Sequence, residues 1–206
     1  MSLQQQGGLT AVVAGAITEG ASEAPKPSRH VGGTVWFTGL SGAGKSTVAA
    51  ALARALRPLG VPVFLLDGDD IRKGLSSDLG FSEDDRVENV RRVAEVARLF
   101  SLAGHLTLVS LISPFAIGRE RARARHESSG VPFVEVYVAT PADVCEQRDP
   151  KGLYARARRG EIPRFTGVSD PYEPPEAADV VLETVSNSPD ESAADVLEAL
   201  RNLGLI

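Results

Sequence analysis

The sequence predicts an α/β fold, with a parallel sheet, helices on both of its faces and a lid segment at one end. Three observations carry that expectation. Short β-branched or aromatic runs alternate with helix-forming stretches from Gly32 onward. The first run opens directly into a glycine-rich loop followed by a helix. A later stretch, Asp149 to Pro175, is dense in charge, Gly and Pro and has no strand pattern, which reads as a long functional loop such as a lid.

Residues 1–30 precede the alternation. They are rich in Gly, Ala, Ser, Gln and Pro without a sustained period, so a poorly ordered extension is expected ahead of one domain at residues 31–206. Thr34–Thr38 is the first expected strand. Lys45–Leu56 is the first helix, an Ala- and Leu-rich run stopped by Pro58 and Gly60. Pro62–Leu66 is the second strand. Val87–Ala103 follows as a helix because Val90, Val93, Ala94, Ala97 and Phe100 recur at helical spacing with Arg and Glu between them. Leu106–Ile112, Phe133–Val138 and Val180–Glu183 complete the strands. Arg119–Ser129, Pro141–Gln147 and Asp190–Leu203 complete the helices.

A chain of 206 residues with 43% hydrophobic and 24% charged residues is long and apolar enough to bury a core. Its net charge of −5 argues against a general nucleic-acid binder, although arginines cluster at Arg119 to Arg125 and at Arg156 to Arg159. No run approaches the ~20 apolar residues needed to span a bilayer. The apolar patch Ala11–Ile17 is short and has no Lys or Arg before it, so neither a membrane partner nor a signal peptide is expected. Cys145 is the single cysteine, which excludes a disulfide framework and suits a cytoplasmic protein. It reads as a small residue on a helix face. His30, His105 and His126 show no metal spacing.

The loop Gly39-Leu40-Ser41-Gly42-Ala43-Gly44-Lys45-Ser46-Thr47 matches GxxxxGK[ST] between a strand and a helix. In that setting backbone amides and a helix N-terminus converge on phosphate oxygens, which predicts a nucleoside triphosphate ligand. Lys45 is expected to reach the β- and γ-phosphates, and Ser46 to offer its hydroxyl to magnesium. The second strand ends in Asp67-Gly68-Asp69-Asp70. Asp67 or Asp69 is placed to hold magnesium or to accept a proton from an attacking hydroxyl, and Asp69 or Asp70 also suits a helix cap.

Taken together these segments resemble the adenylyl-sulfate kinase family. Trp36 to Thr47 looks like its phosphate loop, and Leu66 to Arg72 like its acidic strand end. Asp78-Leu79-Gly80-Phe81-Ser82, Asp85-Arg86, Glu88 to Ala97, Ile112-Ser113-Pro114-Phe115, Glu135 to Val138, Cys145 to Tyr154 and Phe165-Thr166-Gly167 continue the series in order. The resemblance runs from about Gly32 to Ile206. It implies a P-loop kinase fold and transfer of the γ-phosphoryl group of ATP to the 3′-hydroxyl of adenosine 5′-phosphosulfate (APS), with magnesium, giving PAPS and ADP. It further implies that Phe81 and Phe165 sandwich the acceptor's purine, and that Arg72, Arg86, Asn89 and the backbone around Ile112 bind its anionic and polar parts. Leu153 belongs to the same acceptor site. Lys151 is to neutralise charge at the transferring phosphate, Arg148 to contact the ATP adenine, and Tyr154 to pack the lid. The family also implies a homodimer and leaves open a coupling to sulfate adenylyltransferase.

The serine matching Ser113 is described in the family as a phosphoryl carrier. A carrier needs an activating base, whereas direct in-line transfer needs only positioning and electrostatics. Ser113 is therefore expected to line the site, with direct transfer preferred. One departure stands out. Family members commonly read Ser-Pro-Tyr-Arg, then an acidic residue and another Arg, where this chain has Ser113-Pro114-Phe115-Ala116-Ile117-Gly118-Arg119. Either the acceptor is held more weakly or Arg119 or Arg121 takes over. The alternatives are a related kinase for another small hydroxyl acceptor, and a nucleotide-sensing domain without turnover.

Overall fold

Five parallel strands form the sheet, in the order β2-β3-β1-β4-β5. The computed structural model describes residues 32–206; the expected N-terminal extension, with His30, lies outside the described residues. In chain order the elements are β1 (Gly33–Thr38), α1 (Lys45–Leu56), β2 (Val63–Asp67), α2 (Gly68–Lys73), α3 (Glu83–Leu102), β3 (Leu106–Ser110) and α4 (Ala116–Glu127). They continue with β4 (Phe133–Val138), α5 (Ala142–Arg148), α6 (Leu153–Arg158), β5 (Val180–Leu182) and α7 (Pro189–Asn202).

Every residue of β1 is buried, as a central strand covered on both faces must be. Its side chains alternate between two cores. Val35 and Phe37 pack with Val48 and Leu52 of α1, Leu108, Val136, and Val196 and Leu200 of α7. Trp36 points the other way, into Val90, Val93, Ala94 and Ala97 of α3, with Val109 and Phe133. The apolar stripe expected on the long helix is thus its sheet-facing side; Phe100 instead stacks on Phe64, with ring centroids 3.8 Å apart. At the far end of the strands a buried polar cluster is fully hydrogen-bonded. Thr34 Oγ1 meets Ser101 Oγ and His126 Nε2, each at 2.9 Å, and His126 Nδ1 lies 2.7 Å from the Ala122 carbonyl. His126 is therefore a satisfied core residue.

The structure moves several expected boundaries, each for a local reason. The helix expected at Val87–Ala103 begins four residues earlier, because Ser82 and Asp85 form a reciprocal capping box. The helix expected from Arg119 begins at Ala116. β3 stops at Ser110, two residues short of Ile112, as the chain leaves the sheet toward the cleft. The segment Asp149 to Pro175 is not wholly irregular. It contains α6, whose first amides are met by the Asp149 carboxylate at Tyr154 N (3.1 Å) and Ala155 N (3.0 Å). The acid that caps α2 is Asp67, through Asp69 N at 2.9 Å, rather than Asp69 or Asp70. Among the described residues no helix is long and apolar enough to cross a membrane.

Candidate active site

Strand register assembles the site. Phe37 of β1 lies opposite Ser110 of β3, and Ser110 lies opposite Asp67 of β2. Three chains therefore leave the sheet at one level, carrying the glycine loop, the Ile112–Ser113 turn and the Asp67–Asp70 run. A cleft of about 560 Å³ opens between them and the lid.

The glycine loop has the backbone its sequence demands. Gly39 adopts φ 146°, and a Cβ there would come within 2.7 Å of the Val138 carbonyl; Gly42 adopts φ 76° with the Cys145 carbonyl 2.9 Å from a would-be Cβ. Gly44 caps the twelve-residue α1 with no side chain over its first amides, and no acidic residue lies in that turn. The N–H groups are left for an anion. The Ala43 carbonyl is held by Thr140 Oγ1 (2.8 Å) and Thr184 Oγ1 (3.0 Å), and Tyr154 donates its hydroxyl to Ser41 O at 3.1 Å. Lys45 Nζ donates to the Gly39 and Leu40 carbonyls at 2.9 and 2.7 Å. Burial lowers its pKa to about 8.

Beside the loop, Ser46 Oγ donates to Asp67 Oδ2 at 2.5 Å. The Lys151 ammonium forms an ion pair with the Asp69 carboxylate, which ties the lid to the end of β2. At the other end of the cleft Phe81 is 53% exposed, with the Arg72 guanidinium 4.4 Å from its ring centroid. Arg86 is buried and donates to Phe81 O (3.0 Å), Thr166 Oγ1 (2.7 Å), the Arg164 carbonyl and Asp170 Oδ2 (3.4 Å). Asn89 lines the same wall, and its buried Oδ1 has no hydrogen-bond partner among the described residues. Phe165 lies on the cleft but is mostly buried, edge-on to Tyr154 at 4.9 Å. Tyr154 itself is buried, packing the lid onto the loop.

Ser113 is buried at φ 40°. Its Oγ accepts from Trp36 Nε1 (3.1 Å) and donates to Thr38 Oγ1 (2.9 Å), which donates in turn to Ile112 O (2.8 Å) and meets Tyr172 OH at 3.0 Å. Among the described residues no carboxylate, imidazole or amine hydrogen-bonds to this hydroxyl.

Most expected site residues line the one cleft: Ser41, Gly42, Gly44, Lys45, Ser46, Thr47, Asp67, Asp69, Arg72, Phe81, Arg86, Asn89, Ile112, Ser113, Lys151, Leu153 and Phe165. Gly39, Leu40, Ala43 and Arg148 do not. The first three serve through their carbonyls, while Arg148 donates to Thr184 O (2.6 Å) and Thr184 Oγ1 (3.0 Å). Neither Arg119 nor Arg121 lines the cleft, so neither replaces the missing arginine. Arg119 is buried, paired with Glu135 at 2.8 Å and donating to the Ser113 and Glu173 carbonyls, each at 2.7 Å. Of the other arginines in the two sequence clusters, Arg123, Arg125, Arg156, Arg158 and Arg159 are spent on carboxylates. Sequence reasoning missed the roles of Trp36, Thr38 and Tyr172 around Ser113, because the three come from segments distant from it in the chain. It also missed Arg164 and Thr166 on the wall that Arg86 and Asn89 share.

A family model described as adenylylsulphate kinase matches residues 31–183. The chain is 49% identical over 176 residues to the adenylyl-sulfate kinase of Clostridium acetobutylicum, covering 85% of this chain and 86% of that one. Among solved structures it is similar to the Mycobacterium tuberculosis APS kinase in complex with AMPPNP and APS, with 50% identity and a TM-score of 0.81, covering 84% of this chain and 99% of that chain. It is also similar to the hexameric APS kinase from Thiobacillus denitrificans, with 36% identity and a TM-score of 0.66, covering 86% of this chain and 30% of that chain.

The double use of Asp67 is separable by mutation. Asp67→Asn keeps a good capping side chain and should leave the melting temperature close to the parent's, whereas Asp67→Ala should lose about 1 kcal/mol of stability. Both should weaken magnesium-dependent nucleotide binding, read by titration with and without the metal. Equal, undiminished binding by Asp67→Asn would remove the carboxylate from the site.

Proposed function

The chain belongs to the adenylylsulphate kinase family, and we propose that it transfers the γ-phosphoryl group of ATP to the 3′-hydroxyl of adenosine 5′-phosphosulfate. The bond between the γ-phosphorus and its bridging oxygen breaks, a bond from that phosphorus to O3′ forms, the hydroxyl proton leaves, and PAPS and ADP result. The observation that carries this reading is that the glycine loop and a second wall, where Arg72 and Arg86 lie beside the exposed Phe81 ring, line one cleft. A nucleoside triphosphate on the loop does not account for that wall; a second ligand with a purine and an anionic group does.

In this reading the open amides of α1 and the Lys45 ammonium hold the donor's phosphates. Ser46 and Asp67 present two hard oxygens side by side, hydrogen-bonded to each other at 2.5 Å, a donor set that would hold magnesium. Magnesium held there supplies charge neutralisation to the transferring group. Asp69 receives the acceptor's hydroxyl proton or orients that hydroxyl, and Lys151, already paired with it, follows the developing charge. Phe81 offers an exposed ring to the purine, with Phe165 contributing the part of its ring that reaches the cleft. Arg148 meets the donor's base from outside the cleft. A homodimer, a cytoplasmic setting and coupling to sulfate adenylyltransferase complete the proposal. Assembly is supported by the exposed Leu65, Leu99 and Leu102, and a reducing compartment by the free, buried Cys145.

The deciding measurement is coupled ADP release with ATP, magnesium and the phosphosulfate, alongside other nucleosides and sugars. Turnover with the phosphosulfate is expected. Nucleotide binding without turnover would make the chain a sensor, and turnover only with another acceptor would make it a different kinase.

Direct transfer is supported by the saturated hydrogen bonding of Ser113 and the lack of a base beside it. Ser113→Ala should lower the rate but not abolish transfer. Complete loss in a folded variant, with donor phosphate trapped on Ser113 of the parent, would overturn direct transfer.

Lys45 gives the pH dependence. Its pKa of about 8 means the free protein carries the charge at pH 7 and sheds it as pH rises through 8. Phosphate binding favours the charged form, so ATP affinity should hold below pH 8 and fall above it, by up to about tenfold per pH unit. Calorimetric titration from pH 6.5 to 9.5 reads this directly, and a flat profile would contradict it.

A further inference from the structure

Four arginines line the cleft: Arg72, Arg86, Arg156 and Arg164. Three of them are committed. Arg86 directs Nε and both terminal nitrogens to protein oxygens. Arg72 lies over the Phe81 ring and donates to Gly80 O at 2.9 Å. Arg156 pairs with Glu161 at 3.3 Å. The Arg164 side chain, exposed on the cleft wall, has no hydrogen bond or ion pair to any described residue.

Its backbone is also unusual. Arg164 sits at φ 61°, a left-handed conformation that a long side chain rarely holds unless its surroundings enforce it. Here they do. Arg86 hydrogen-bonds the Arg164 carbonyl, and the next residue is fixed by Phe165 N donating to Ser169 Oγ at 2.8 Å and by Phe165 O accepting from the amides of Val168, Ser169 and Asp170. A buried arginine of the acceptor wall thus holds a strained residue that itself lines the cleft with an exposed side chain.

We infer that Arg164 is a further substrate-binding residue, its guanidinium taking the anionic phosphosulfate end of the acceptor next to Phe165. The inference rests on the proposed function and adds a residue to its acceptor site. The donor's charge is served at the opposite end by Lys45 and Lys151. At this end Arg86 is close enough to be repelled by both Arg72 and Arg164, with Asp170 and Asp85 as the opposing charges, and burial together with that repulsion lowers Arg86 below its ordinary value. The surplus positive charge calls for an anion, and the flat, forked guanidinium suits the oxygens of a phosphate or sulfate group.

The informative variant is Arg164→Gly, because glycine adopts φ 61° freely and the fold should be at least as stable as the parent's. The KM for the phosphosulfate should rise about tenfold, the KM for ATP and kcat should stay within about twofold, and the melting temperature should not fall. Arg164→Lys should recover part of the loss. Binding of uncharged adenosine, measured by calorimetry, should be the same in parent and variant. If the parent turns over the phosphosulfate and Arg164→Gly keeps its KM within twofold, this inference falls while the proposed function stands. An equal rise in both KM values with a lower melting temperature would make Arg164 structural and overturn it as well. A parent that neither binds nor turns over the phosphosulfate would end both.

Discussion

The register of three neighbouring strands is the constraint on which the site depends. Because Phe37, Ser110 and Asp67 are mutually opposed across β1, β3 and β2, the loops that follow them emerge together on one edge of the sheet. In a parallel sheet that edge is where ligands bind, and here it receives the phosphate-binding glycines, the Ser113 turn and the carboxylates at once. A slip of one residue in β1 would exchange Trp36 with Val35 and Phe37 between the two cores, so packing on both faces fixes the register. Core and site are in that sense one structure: the apolar alternation that stabilises the sheet also sets which polar groups meet above it.

Above the sheet the dominant electrostatic feature is a lysine taken out of water. Lowering Lys45 from 10.5 to about 8 corresponds to about 3 kcal/mol of lost preference for the charged form. The Gly39 and Leu40 carbonyls offset part of the desolvation but bring no full negative charge. An arriving polyphosphate brings several. Part of the affinity for the donor is therefore built into the folded chain as an unmet demand for charge. The same logic holds at the other end of the cleft, where the buried Arg86 guanidinium is met mainly by neutral oxygens, and Asn89 Oδ1 has no hydrogen-bond partner among the described residues. Lid and cleft are joined by the Lys151–Asp69 pair, so a donor phosphate that attracts Lys151 competes directly with Asp69 for it.

Much of this was legible in the sequence, for identifiable reasons. The glycine loop, all five strands and the main helices follow from local pattern, because a buried strand needs a β-branched or aromatic run and a helix against a sheet needs a stripe at 3.6-residue spacing. What escaped depends on contacts between distant segments. Helix α6 hides in a charged, glycine-bearing stretch and is organised by one side chain, Asp149, bonding two amides ahead of it. Arg119 looked like a spare cation in an arginine cluster, yet it is buried against Glu135 and holds the Ser113 carbonyl. The resemblance gives Phe165 and Phe81 the same part, but one is wedged against Tyr154 and the other is open. Which arginine of a chain faces a ligand and which a carboxylate is a property of the fold, and charge patterning alone does not separate them.

Ser113 shows how far such long-range contacts constrain chemistry. A non-glycine residue at φ 40° persists only if its surroundings over-determine it. Arg119 grips its carbonyl from one side, while Trp36 and Thr38 take both roles of its hydroxyl from the other. Loading a phosphoryl group onto Oγ would displace the Thr38 bond, crowd the indole N–H and set new negative charge in a buried position with no cation bonded to that hydroxyl. Keeping the serine unmodified preserves all three contacts. They in turn fix the backbone at Ile112, where the proposed acceptor would lie. On the proposed direct transfer, the interactions that would be lost on loading Oγ are the ones that let Ser113 support the residue before it, and that is the role this arrangement favours.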